Sequence, residues 1–191
     1  RPDLPGRARE SAGELYDSGE FAKVMDACLA KADWAGVPVR KSRSAASGKL
    51  RGIGMCYYIE STMGDQSEFA GVRFDDDGGV TLEVGTQSNG QGHETAYAQV
   101  LHVQLGVPFE KVRIVQGDTA RIKIGGGTGG SRSLTAQWTA MTDASNAVVD
   151  KGKAYASQVF EAAKADITFD DGVFAVAGTD RTIGIMELAK K

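Results

Sequence analysis

Val80–Gln116 reads VTLEVGTQSNGQGHETAYAQVLHVQLGVPFEKVRIVQ. Its apolar pattern changes period twice. VTLEV alternates apolar and polar residues, with Val80, Leu82 and Val84 on one face, which predicts a strand. GTQSNGQG has no periodicity and almost no side-chain bulk. Thr95, Ala98, Leu101 and Leu105 then recur at helical spacing, and Gly106 with Pro108 forms a stop signal. KVRIVQ returns to alternation, with Val112 and Ile114 in phase. The segment therefore predicts strand, bare loop, helix and strand.

The flanking residues extend this order. GVRF pairs with VTLEV across DDDGG as a hairpin, with Val72 and Phe74 on the face of Val80, Leu82 and Val84. Upstream, LRGIGMCYYIE reads as a buried strand, and RKSRSAASGK as a basic, solvated linker. FAKVMDACLAKADW reads as a helix, capped by Asp17 or Ser18 and ending near Gly36 and Pro38. Residues 1–15 form a polar arm without periodicity, expected to be disordered or a contact arm. Downstream, a second glycine loop, IGGGTGGSRS, leads into a long helix. Leu134, Trp138, Met141, Ser145, Val148, Gly152, Tyr155, Val159 and Ala162 mark one face of it. Ser145 and Gly152 would admit a neighbouring backbone, and Gly152 is a candidate bend. ITFDDGVFAV predicts a hairpin around Asp171-Gly172, and TIGIMELAKK a closing helix. The fold class expected is α+β: a mixed or antiparallel sheet covered by helices, not a regular alternating array.

Composition narrows the function classes. The 191 residues carry a net charge of −3, which offers no basic footprint for nucleic acid or anionic membrane. No apolar run reaches the roughly 20 residues of a membrane span, and none of these residues reads as a secretory h-region. Two cysteines do not make a disulfide framework, and Cys28 and Cys56 are expected to be small buried residues in a reducing, cytoplasmic setting. Glycine, at 25 residues, is about twice its usual frequency of roughly 7%. The chain opens without Met and closes on MELAKK, as a fragment of a longer protein would.

The two glycine loops carry the chemistry. A helix start presents unpaired N–H groups and the positive end of its dipole, and glycine lets a ligand approach them closely. Such a start suits an anion, phosphate above all. Gln91, Gly92 and His93 form the first candidate set. Thr128, Gly129, Gly130, Ser131, Arg132 and Ser133 form the second, with hydroxyls and a planar cationic fork. Together they could grip two parts of one long anionic ligand with a heterocyclic head. The first loop lacks the third glycine of a dinucleotide fingerprint, and no GK[ST] follows either loop. HET is not HExxH, and His93 and His102 face opposite sides of one helix, so no protein metal site is assigned. On the residues alone three readings stay open: a cofactor-binding piece of an oxidoreductase, a stand-alone nucleotide or phosphate module, and a structural remnant whose loops are only turns.

TQSNGQGHETAYAQVLHVQLGVP, followed by VRIVQGDT and GGGTGGSRS, resembles the molybdenum-binding large subunit of the xanthine dehydrogenase, aldehyde oxidase and carbon monoxide dehydrogenase family. ELYDSGEF, ADW and GKLRGIGMCYYIE resemble its carbon monoxide dehydrogenase-like branch. The resemblance runs from about Gly13 to the end, so residues 16–191 are expected to form one subdomain of a larger cofactor-binding domain. It implies a molybdenum–molybdopterin cofactor, in bacteria usually the cytosine dinucleotide. The loop matching Gln91–His93 would lie near metal and pterin, and the loop matching Thr128–Ser133 would hold pterin and pyrophosphate. It implies the rest of the large subunit, with iron–sulfur and flavin subunits or domains, as partners. The family's general base is a glutamate in a loop this sequence does not contain; neither Glu60 nor Glu94 matches it, so no catalytic residue is assigned and the chain alone is expected to be inactive. Neither Cys28 nor Cys56 matches the cysteine loop of true carbon monoxide dehydrogenases.

Overall fold

The computed structural model describes residues 19–58 and 66–191. The chain divides into two units, residues 1–59 and 60–191. The polar arm over 1–15, the caps Asp17 and Ser18, and the last residues of the LRGIGMCYYIE strand lie outside the described residues.

In the first unit, α1 (Phe21–Lys31) is followed by a single tight turn, Trp34–Gly36, and α2 (Val37–Ala46). The basic stretch expected as a loop is thus mostly helix. It lacks an apolar stripe, and only Val37 is buried in α2. Its helix rests on propensity instead: Arg, Lys and Ala are good formers, and Pro38 at the start presets φ. Arg40 then turns back to α1, donating to the carbonyls of Ala32 (3.0 Å) and Asp33 (2.7 Å) and pairing with the Asp33 carboxylate. A cation is well placed at that helix end.

The strand expected from Leu50 does not form among the described residues. A strand needs a hydrogen-bonded neighbour, and the described residues of this unit supply none. Leu50, Ile53, Met55, Tyr57 and Tyr58 are exposed instead. Cys28 and Cys56 are also exposed free thiols, against the expectation of burial.

The second unit holds two three-stranded sheets. In the first, β1 (Ala70–Phe74) pairs antiparallel with β2 (Val80–Val84), Val72 opposite Leu82 and Phe74 opposite Val80. β2 pairs in parallel with β3 (Val112–Val115), giving the order β1-β2-β3. The crossover between the parallel strands is α3 (His93–Leu105). α4 (Thr135–Phe160) is continuous over 26 residues. The second sheet is an antiparallel meander of β4 (Ile167–Asp170), β5 (Val173–Val176) and β6 (Thr182–Gly184), closed by a single helical turn, α5 (Ile185–Leu188). The α+β class and both hairpins stand as read from the sequence. The closing helix is shorter than expected, because Thr182 and Ile183, both β-branched, extend the sheet first.

Val80, Leu82 and Val84 are fully buried, and together with Tyr97, Leu101, Leu105, Met141 and Phe174 they anchor one core. Each such side chain contributes about 1.5–3 kcal/mol through burial. On α3 the buried face includes Tyr97, while Thr95 is exposed. On α4, Met141 and Ser145 are buried, but Trp138, Tyr155 and Val159 are exposed, as is Leu134 just before it. The inward side is lined instead by Ala136, Gln137, Ala156 and Phe160. Small residues face inward where a neighbour comes close, so apolar size is a poor marker of burial there. The helix runs unbroken through Gly152. A Cβ at Gly152 would strike the Phe174 ring, 2.9 Å from Cε1 and Cε2, so the close approach is to a side chain and not to a backbone.

Candidate functional site

Both glycine loops leave the same sheet. The first follows β2 directly and the second lies downstream of β3. Parallel pairing puts the C-terminal ends of these strands at one edge. That edge is where ligands sit in open sheets with crossover helices.

The loops are fastened to each other. Gly127 N–H donates to Gly85 O (3.2 Å). The Thr128 hydroxyl accepts from Gln87 N (3.1 Å), donates to Gln87 O, and lies 2.8 Å from Ser133 Oγ. Backbone meets backbone at Gly85 and Gly125: a Cβ on Gly125 would sit 2.6 Å from Gly85 Cα. Only glycine fits at either position.

Beneath the loops lies a buried polar layer. Glu68 has a fully buried carboxylate that accepts from Gly126 N (2.9 and 3.1 Å to its two oxygens) and pairs with Arg132 Nη1 at 3.3 Å. Arg132 also donates to Gly127 O (3.0 Å) and Ser67 O (2.5 Å). Gln137 accepts from the Thr86 hydroxyl (3.1 Å) and donates to Phe69 O (2.9 Å). Tyr97 donates to Ser133 O (2.8 Å) and meets Thr86 Oγ1 at 2.9 Å. Burial pushes the Tyr97 phenol above its ordinary value, partly opposed by the bond to Thr86 and reinforced by Glu68 and Glu94.

Above this layer is a pocket of about 440 Å³. Gln91, His93, Ala96 and Tyr97 line one side, from the first loop and α3. Residues 128–131, Ser133 and Leu134 line the other. Of the residues singled out from sequence, Gln91, His93, Thr128, Gly129, Gly130, Ser131 and Ser133 therefore come together. Gly92 stands behind them as the left-handed residue before α3, with φ 75°. Arg132 turns inward to Glu68 and does not line the pocket. α4 begins at Thr135, so Ser131–Ser133 belong to the turn before the helix and not to its first residues. Ser131 has φ 54°, unusual without glycine and a mark of strain.

The lining carries donors without acceptors. Among the described residues, the N–H groups of Gln91, Gly92, His93, Gly129 and Gly130 have no protein acceptor. A Cβ on Gly90, Gly92, Gly127 or Gly129 would meet nothing, so open space stands over this backbone. His93 is only 3% exposed and stacks on Tyr97, with centroids 4.6 Å apart. Its ring is oriented by Gln116. Gln116 Nε2 donates to Glu94 Oε1 (2.7 Å), and its Oε1 accepts from Ser88 N (3.0 Å). That oxygen faces His93 Nδ1 at 3.2 Å, so Nδ1 carries the proton. Nε2 is then buried without a partner. Among the described residues the lining contains no Asp, Glu, Lys or Arg. Among the described residues no group of three or more His, Cys, Asp or Glu could hold a metal ion. No helix among them is long and apolar enough to cross a membrane.

The sequence reading missed Glu68, Thr86, Tyr97, Gln116 and Gln137. Tyr97 could have been found, since it stands four residues after His93 on the same helical face. Thr86 lies in the first loop itself but carries no pattern that marks it, and Glu68, Gln116 and Gln137 come from other segments without a local signal.

Fold and site together define a cofactor-binding α+β domain: two bare loops at one sheet edge, clasped together over a buried polar layer. The chain belongs to the molybdopterin cofactor-binding domain family, whose model matches residues 27–191. It is 30% identical to the nicotine 6-hydroxylase large subunit of Paenarthrobacter nicotinovorans over 191 residues, covering 93% of this chain and 23% of that protein. It is 33% identical to the 6-hydroxypseudooxynicotine dehydrogenase complex subunit gamma of the same organism over 174 residues, covering 91% and 22%. The crystal structure of the Cu,Mo-CO dehydrogenase in its carbon monoxide reduced state superposes with a TM-score of 0.64 at 28% identity, covering 93% of this chain and 25% of that one. The chain thus spans about a quarter of the length of these proteins.

Proposed function

We propose that residues 16–191 form one wall of a molybdopterin dinucleotide site in the large subunit of a molybdenum hydroxylase. One observation carries this reading: Gln91–Tyr97 and Thr128–Leu134 converge on a single pocket. Its features suit the cofactor. The free N–H groups of Gly129 and Gly130, with the Ser131 hydroxyl, would hold phosphate oxygens, while the Ser133 hydroxyl donates to Thr128 and braces that side. Gln91 and His93, an amide and an oriented imidazole, would face the heterocyclic part. The buried, unpartnered Nε2 and the open space over the glycines are what a closely held ligand would complete.

When bound, the cofactor supplies two-electron oxidation with oxygen drawn from water. This chain's residues bind and orient it. Among the described residues the pocket lining offers no carboxylate to act as a general base, so in this reading the base comes from elsewhere in the full-length protein and the chain alone would not turn over. The name of the gamma-subunit relative places it in a complex. By analogy the remainder of a large subunit, with iron–sulfur and flavin subunits or domains, would complete this enzyme in the cytoplasm, and the dinucleotide would be the cytosine form.

The test is composition. The full-length gene product from a molybdate-fed host should carry molybdenum and release a pterin and a cytosine nucleotide on denaturation. A plain nucleotide without metal would overturn the proposal in favour of a redox-inert phosphate-binding module.

A further inference from the structure

Glu68 is an acidic side chain beneath the two loops, and its carboxylate has no solvent exposure. Burying a carboxylate is costly unless it is paired and hydrogen-bonded. Here it touches three parts of the site's frame. It takes the Gly126 N–H of the second loop and the guanidinium at the entry to α4. It also packs against Gly85 at the base of the first loop, where a Cβ would strike it. The guanidinium in turn crosses Gly126, where a Cβ would fall 2.7 Å from Arg132 Cζ, and reaches Gly127 O. Both glycine loops are therefore moulded around one buried ion pair.

We propose that Glu68 and Arg132 are a positioning pair for the two-loop site: the carboxylate neutralises Arg132 and fixes Gly126, so that the pocket binds its anion through neutral donors. This rests on the cofactor-site reading above. It assigns Glu68 a role, and it moves Arg132 from ligand contact to loop support.

The two roles for Arg132 predict opposite results. In the full-length protein, E68Q, R132Q and E68Q/R132Q are compared with the parent for pterin and molybdenum per chain. As a positioning pair, each single change leaves a buried group uncompensated and should lower the content by about tenfold or more. The double change removes both charges and should recover content to within about threefold of the parent. If Arg132 instead grips the ligand, E68Q keeps or raises the content, R132Q loses it, and the double variant stays low; that pattern overturns the proposal. Hydrogen exchange across Gly125–Thr128 gives a readout independent of the cofactor. Exchange should accelerate in E68Q and slow again in the double variant. Unchanged exchange in E68Q overturns the pairing even where the parent carries no pterin, a result that would by itself refute only the cofactor reading.

Discussion

Replacing Gly125 by Ala tests whether the loops are held in backbone contact. The added Cβ would lie 2.6 Å from both Cα and O of Gly85. Non-bonded carbons prefer about 3.5–4.0 Å, so the loops must part by about 1 Å. Gly85 cannot retreat freely, since its N–H is bound to Phe69 O (3.0 Å) and its carbonyl receives Gly127 N (3.2 Å). Overpacking of this kind costs about 1–3 kcal/mol. Losing the Gly127–Gly85 bond adds about 1 kcal/mol, and the reduced freedom of the unfolded chain returns about 0.4–1 kcal/mol. The net expected loss is about 1–3.5 kcal/mol. φ at Gly125 lies outside the left-handed region, so the effect is steric and not conformational. Urea unfolding of the purified protein reads the stability, and molybdenum per chain reads the site. An unchanged unfolding midpoint together with unchanged molybdenum content would refute the reasoning.

Three further outcomes follow. Gly129→Ala meets no atom within 4 Å and has an ordinary φ, so the unfolding midpoint should hold while pterin content falls, because the methyl occupies space over the lining; equal pterin content would place the ligand away from that backbone. Gly152→Ala should destabilise by about 1–2 kcal/mol despite the better helix propensity of Ala, and Phe174→Leu in the same chain should relieve it, as measured by thermal unfolding. Arg113 beside Asp77 holds that carboxyl down at about 2, from 3.8, chiefly through their hydrogen bond. The folded form is the more acidic one, so its stabilising effect is full above pH 3.8 and lost as pH falls through about 2; an NMR titration of Asp77 should show the low midpoint, and Arg113→Ala should return it towards the ordinary value.

Much of the second unit was legible because its signals are local. Alternation marked β1, β2 and β3, and Gly106 and Gly172, both with positive φ, stand where a helix stop and a hairpin turn were read. Most candidate site residues were legible for a related reason, since bare glycine runs before helices are visible in one dimension. What failed depends on partners. LRGIGMCYYIE has the composition of a strand but no described neighbour in its unit to pair with. RKSRSAAS lacks periodicity and still forms a helix through propensity. Arg132 reads as an anion ligand next to Ser131 and Ser133, yet Glu68, 64 residues away in sequence, captures it. Glu68 itself sits in an unremarkable QSEF context, and nothing local distinguishes it from a surface acid.

The parallel register of β2 and β3 has a bearing on how this site can vary. Neighbouring strands lie about 4.8 Å apart whatever joins them. The spacing of the strand ends behind the two glycine loops is therefore set by a backbone ladder, not by the helix that links the strands. A full turn could be added to the far end of α3, or its outer surface rewritten, without changing that spacing. Variation on the helix and preservation of the loop-bearing edge are thereby made separable within one short stretch of chain.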